Sequence, residues 1–160
     1  MKASPQHMQQ IPHNKDSVVI LIAEDDEEDR MLLMDAMEEG RLLNKFYFVE
    51  DGEELLFYLK GQGKYTDRNT YPLPGLILLD LNLPKIDGRE ALKIIKADAV
   101  LKRIPVIILT TSKAEEDIIR TYDLGVNSFI TKPVSFEGLV DVTQTLSQYW
   151  FEIVVLHTQD

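Results

Sequence analysis

The sequence predicts an α/β protein built on a doubly wound, five-stranded parallel sheet. Three observations predict it. Short strand-like runs recur at 18–23, 46–49, 76–79, 105–109 and 128–131, the length and apolar content of strands buried on both faces. Between them lie segments whose apolar residues keep helical spacing, so strands and helices alternate and both faces of the sheet are covered. Several runs close on polar residues and Gly/Pro punctuation, as strands do at the carboxyl edge of an open sheet.

Residues 1–16, rich in Gln, His, Asn and Pro, read as a flexible lead without the apolar stretch of a secretory signal. The first strand, Val18-Val19-Ile20-Leu21-Ile22-Ala23, runs into Glu24-Asp25-Asp26-Glu27-Glu28-Asp29. A helix follows with Met31, Leu32, Met34, Ala36 and Met37 on its apolar face, ended by Gly40. Phe46-Tyr47-Phe48-Val49 is the second strand, and after Asp51-Gly52 a helix over 53–60 carries Leu55, Leu56 and Leu59. Residues 61–74 form a Gly/Pro/Asn-rich loop, long for an α/β unit. The third strand, Leu76-Ile77-Leu78-Leu79, closes on Asp80, and a helix over 88–97 buries Ala91, Leu92, Ile94 and Ile95. Pro105-Val106-Ile107-Ile108-Leu109 is the fourth strand, ending at Thr110-Thr111-Ser112, with a helix over 114–124 behind it. Ser128-Phe129-Ile130-Thr131 is the fifth, ended by Lys132-Pro133, and a last helix spans about 136–150. One domain over 17–150 accounts for the pattern, leaving an apolar tail at 151–160.

Composition narrows the function. With 17 basic and 27 acidic residues the net charge is −10, and no Lys/Arg stripe offers phosphate neutralisation, so nucleic acid is excluded as a partner. No apolar run approaches the length of a membrane span. The absence of cysteine removes disulfides, thiolate metal sites and cysteine nucleophiles, and makes the cytoplasm the expected compartment.

Chemistry concentrates at the strand ends: Glu24 and Asp25 after the first strand, Asp80 after the third, Thr110 after the fourth and Lys132 after the fifth. In a doubly wound sheet these ends converge on one crevice. Close carboxylates repel, and a hard dication relieves the repulsion. Magnesium suits the set: Asp25 and Asp80 direct, Glu24 through water, the Asn82 carbonyl as a further oxygen. With Lys132 as a point charge and the Thr110 hydroxyl as donor, the arrangement suits phosphoryl transfer to Asp80 as an aspartyl-phosphate.

The same residues resemble a response-regulator receiver domain over roughly 17–150: Glu24-Asp25, Asp80 with Pro84 and Asp87-Gly88, Thr110, and Lys132-Pro133. The resemblance implies a flavodoxin-like sheet of order 2-1-3-4-5. It also implies phosphorylation of Asp80 by a sensor histidine kinase with Mg2+, a cis bond at Lys132-Pro133, and Phe129 as the aromatic switch partner of Thr110. Thr111 departs from the Ala or Gly of most receivers and would narrow access to Asp80. The loop 61–74, the Leu81-Asn82-Leu83-Pro84-Lys85 segment and the closing Tyr149-Trp150-Phe151-Glu152-Ile153-Val154 further resemble receivers paired with bacterial phytochromes. Such a protein is not an enzyme in its own right. It signals through protein contacts on the fourth helix, fifth strand and fifth helix.

Blander readings hold elsewhere. Asp26 is a helix N-cap, with Glu27, Glu28 and Asp29 favouring the positive end of the helix dipole. Asp87 shapes its loop and caps the next helix. His7, His13 and His157 fall in the tails, and Met31, Met34 and Met37 are core or partner-facing packing residues rather than a cofactor box. The apolar 149–156 segment either completes the core or forms a homodimer face with the last elements, the second being favoured. Two rivals fare worse: an aspartyl-nucleophile phosphatase needs an acid where Asn82 stands, and a flavin module needs a phosphate cradle where Glu24-Asp25-Asp26 would repel one.

Overall fold

The structure, a computed structural model, describes residues 18–110, Ala114, Asp117, residues 128–131 and residues 135–144. Five parallel strands stand in the order β2-β1-β3-β4-β5: β1 Ile20–Ala23, β2 Phe46–Val49, β3 Leu76–Asp80, β4 Val106–Thr110 and β5 Ser128–Thr131. Helices α1 Glu27–Glu39, α2 Gly52–Lys60 and α3 Gly88–Ala97 connect the first four. The expected doubly wound sheet is present in its expected order. Of the helix read over 114–124, Ala114 and Asp117 are helical, and of the last helix residues 136–144 are helical. The lead 1–16, the tail 151–160 and the three histidines lie outside the described residues.

Alternation along the strands sorts the core into two layers. Leu21, Ala23, Ile77, Leu79, Val106 and Ile108 pack with Leu55, Leu59, Leu92 and Ile95 of α2 and α3. Ile20, Ile22, Leu76, Leu78 and Ile107 pack on the other face with Leu33, Ala36 and Met37 of α1 and with Leu139. Of the three methionines at helical spacing only Met37 is core, since Met31 and Met34 are exposed. The α1 and 136–144 helices approach closely: Thr143 Oγ1 donates toward the Ala36 carbonyl at 3.3 Å, and a Cβ on Gly40 would lie 2.0 Å from that hydroxyl.

The loop 61–74 is a braced strap rather than an open connection. A left-handed Gly61 (φ 66°) ends α2, and a 3-10 turn occupies Gly63–Tyr65. Tyr58 ring contacts Tyr47, Tyr65 and Tyr71 at centroid distances of 5.8, 4.9 and 5.9 Å. The Tyr58 hydroxyl donates to the Pro72 carbonyl at 2.9 Å and the Tyr47 hydroxyl to Thr70 at 2.7 Å. Arg68 ties the strap to the end of α2, its guanidinium donating to the carbonyls of Tyr58 (2.8 Å), Leu59 (2.7 Å) and Tyr71 (3.1 Å). A cation there also suits the negative end of the helix dipole. The sequence shows the loop's length but not this clasp, because tyrosines and arginine in a polar loop carry no period.

Truncating Arg68 leaves three carbonyls without their charged donor. Arg68→Ala is therefore expected to lower unfolding free energy by about 2 kcal/mol and to open residues 61–74 to limited proteolysis, both read by chemical denaturation and by peptide mapping. Burial pushes the Tyr58 and Tyr65 phenols well above the ordinary range, Tyr65 further by its bond to Glu54. Because the folded state favours the neutral phenol, this contribution is complete below the unfolded tyrosine pKa of about 10 and is lost as pH rises beyond it. Alkaline titration of phenolate absorbance should show these two tyrosines ionising only with unfolding.

Candidate metal centre at the carboxyl edge of the sheet

The register of the sheet builds the site. Ala23 of β1 pairs with Leu79 of β3, so the next residue of each strand, Glu24 and Asp80, stand side by side where the two chains leave the sheet. Both follow the alternation of Ile20–Ile22 and Leu76–Leu78 toward the α1 face. Glu24 and Asp80 are buried and Asp25 is exposed, and a carboxylate oxygen from each lies within 4.8 Å of the other two. Two unit charges at that range repel by about 3 kcal/mol at an effective dielectric of about 20.

Each acid is held by its local backbone. The Asp26 N–H donates to Glu24 Oε2 at 3.2 Å, while Asp26 caps α1 by accepting from the Asp29 N–H at 3.0 Å, the predicted role. The Asn82 N–H donates to Asp80 Oδ1 at 2.9 Å, an Asx-type turn that fixes the carboxyl two residues before it. The loop then closes with Gly88 N–H on the Leu81 carbonyl at 3.0 Å. A Cβ at Gly88 would meet the Asp80 carbonyl oxygen at 2.5 Å and Leu81 Cα at 2.6 Å, so glycine is required for the approach. Asp87 caps α3 through the Arg89 N–H at 2.8 Å, as expected.

The donor set fits a hard divalent cation. All three groups are oxygen ligands, two of them withdrawn from water, and their convergence on one point is favourable only with a compensating positive charge. Asn82 reaches the cluster through its backbone N–H. Thr110 ends β4 opposite Thr131 of β5, one residue beyond the Asp80–Leu109 pair. That places the Thr110 backbone at the same edge as Asp80. Lys132, Pro133 and Thr111 lie outside the described residues, as do the side chains of Thr110 and Phe129.

Three supporting residues were not legible as such in the sequence. Arg30 donates from Nη1 to the Glu24 carbonyl at 3.0 Å and pairs through Nη2 with Glu50 at 3.5 Å. Lys85, in a left-handed backbone (φ 67°), lies 3.5 Å from Asp51 and 3.8 Å from Glu53. Gly52 donates its N–H to the Pro84 carbonyl at 3.2 Å. The available signal was charge placed four to six residues from the acids, too common on helix starts and loops to single out.

Comparison with known proteins agrees with this geometry. Residues 20–144 match the family described as the response regulator receiver domain. The response regulator Rcp1 of Synechocystis sp. is 41% identical over 138 residues, covering 86% of this chain and 92% of that protein. The crystal structure of the phosphorylated cyanobacterial phytochrome response regulator RcpA superposes with a TM-score of 0.73 at 41% identity, covering 84% of this chain and 94% of that one. The Mn2+-bound form of Rcp1 gives a TM-score of 0.71 at 41% identity, over 84% and 95% of the two chains.

The tightness at Gly88 has a direct consequence. Gly88→Ala should cost at least about 2 kcal/mol through overpacking against backbone that cannot turn away, and it should weaken divalent-cation binding as the Asp80 carbonyl shifts. Thermal melts with and without a divalent cation check both effects.

Proposed function

The chain belongs to the response regulator receiver domain family, and on that premise we propose that it is a phosphorylation switch in which Asp80 accepts a phosphoryl group from a sensor histidine kinase with Mg2+. The observation that carries the reading is the convergence of Glu24, Asp25 and Asp80 oxygens within 4.8 Å at the edge where β1 and β3 end.

The chain's own residues divide the work. Asp25 and Asp80 would hold the cation directly, with Glu24 through water and the Asn82 carbonyl as a further donor. Magnesium, when bound, neutralises charge on the phosphoryl oxygens. The Asn82 N–H holds Asp80 Oδ1 and so orients the carboxylate. In the transfer a carboxylate oxygen of Asp80 forms a bond to phosphorus as the phosphohistidine P–N bond breaks. The electron pair of that bond returns to the kinase imidazole. Lys132 balances the charge that arrives, and the Thr110 hydroxyl turns to the new phosphoryl group, with Phe129 following it. Pro84, Gly88 and Pro133 shape the loops that carry these groups, and Thr111 narrows the approach.

The chain's likeness to a phytochrome response regulator, RcpA, supports a bacterial phytochrome as the kinase. The proposal extends to action in the cytoplasm and to signalling through protein contacts on the fourth helix, fifth strand and fifth helix, with a homodimer formed there and on the tail. The phosphatase alternative lacks the acid that Asn82 replaces, and no observation favours it.

Incubation with a radiolabelled phosphorylated histidine kinase and Mg2+ should label the protein. Asp80→Asn should abolish labelling, and Asp25→Asn should raise the Mg2+ concentration needed by on the order of tenfold or more. Label that persists on the Asp80→Asn protein sinks the assignment.

A further inference from the structure

The acids of the site stand where two strands end, Glu24 and Asp25 just after β1 and Asp80 as the last residue of β3, and the short turn 50–53 at the start of α2 touches the connections that follow both. On one side Arg30 spans from the Glu24 carbonyl (3.0 Å) to the Glu50 carboxylate (3.5 Å). On the other, Lys85 lies 3.5 Å from Asp51 Oδ2 and 3.8 Å from Glu53 Oε1, and Gly52 N–H bonds the Pro84 carbonyl at 3.2 Å. The turn itself is rigid. Asp51 caps α2 with its other oxygen, accepting from the Glu54 N–H at 2.7 Å, and Glu54 reaches back to the Glu50 N–H at 2.7 Å, a reciprocal cap. A Cβ on Gly52 would fall 1.8 Å from the Ile86 carbonyl oxygen, so turn and loop are in close backbone contact.

From this geometry we infer that Arg30 and Lys85 are positioning residues: two cationic clips that fasten the connections following Glu24 and Asp80 to the 50–53 turn and hold in place, before the cation arrives, the carboxylates that strand register has brought together. The backbone of Lys85 supports the inference. A non-glycine residue at φ 67° is held against its preference, and here its ammonium reaches two carboxylates of α2's first turn. The inference rests on the metal reading proposed above.

The clips make a prediction of sign. Two cations beside an acidic site oppose a dication by simple charge, so removing one by electrostatics alone would tighten Mg2+ binding. As clips their removal weakens it, because the preorganised spacing is lost. Lys85→Met keeps the stem and the backbone strain while deleting the charge, and Lys85→Arg keeps the charge. Isothermal titration with MgCl2 should give Lys85→Met a dissociation constant three- to tenfold higher and Lys85→Arg one near the parent's. Amide hydrogen exchange in the metal-free proteins should show residues 81–88 and Gly52 exchanging several-fold faster in Lys85→Met, while Ile77 and Leu78 of β3 stay protected. Unchanged exchange in that loop, or equal or tighter Mg2+ binding with the melt preserved, overturns the inference. Should Lys85→Met fold poorly, the exposed Glu53→Gln replaces it with the same expected direction. A parent protein that binds no Mg2+ refutes the metal reading instead, and the exchange result still decides the clip.

Discussion

Everything about this fold turns on holding like charges together. Glu24, Asp25 and Asp80 place their oxygens within 4.8 Å of one another at the mouth of a sheet whose strands are otherwise apolar. Like charges this close repel, and several constraints of the surrounding structure hold them. The strand order supplies the first constraint. With β1 between β2 and β3 and Ala23 in register with Leu79, the acid after each strand is brought to its neighbour by backbone pairing alone. No side-chain interaction is needed to find that position, only to keep it.

Local turns then keep each carboxylate aimed. The N–H groups of Asp26 and Asn82 fix Glu24 and Asp80 two residues away from themselves, and Gly88 permits the loop to close over Asp80 without a side chain in the way. Farther out, α2 serves as the common anchor. The residues leading into it, Glu50 and Asp51, pair with Arg30 and Lys85 of the connections after β1 and β3, and its last turn is clasped by Arg68 and the tyrosine strap. Glu54 joins the two ends, bonding the Glu50 N–H with one oxygen and the Tyr65 hydroxyl with the other. The long loop therefore supports the site from the opposite end of the helix.

The sheet and its acids were legible because each leaves a local mark. Buried parallel strands are apolar runs, and an acid closing such a run stands out, as Asp80 does after Leu76-Ile77-Leu78-Leu79. Helix caps were equally readable, since Asp26 and Asp87 precede their helices by simple spacing. Strand and helix ends moved by one or two residues: β1 begins at Ile20 and α2 at Gly52. The strap and the clips left no such mark. Arg68 serves three carbonyls that are polar in every sequence, and Lys85 looks like any exposed lysine until its partners across the fold are known. The exposure of Met31 and Met34 was likewise invisible, because spacing fixes a helical face but not whether another element covers it.

The division of labour between backbone and side chain has a further consequence for how a switch at this site can work. Glu24 and Asp80 are set by strand register, whereas the connections that follow them are joined to the start of α2 by ion pairs that each have at least one partner exposed to solvent. The pair exposed on both sides, Lys85 with Glu53, is individually weak, about 1 kcal/mol or less. Lys85 stands five residues after Asp80 on the same connection, so a change of charge at Asp80 acts on a segment that ion pairs hold rather than on the sheet. The molecule thus separates a fixed frame, the sheet that keeps its acids in place, from a softer layer of ion-paired connections around them.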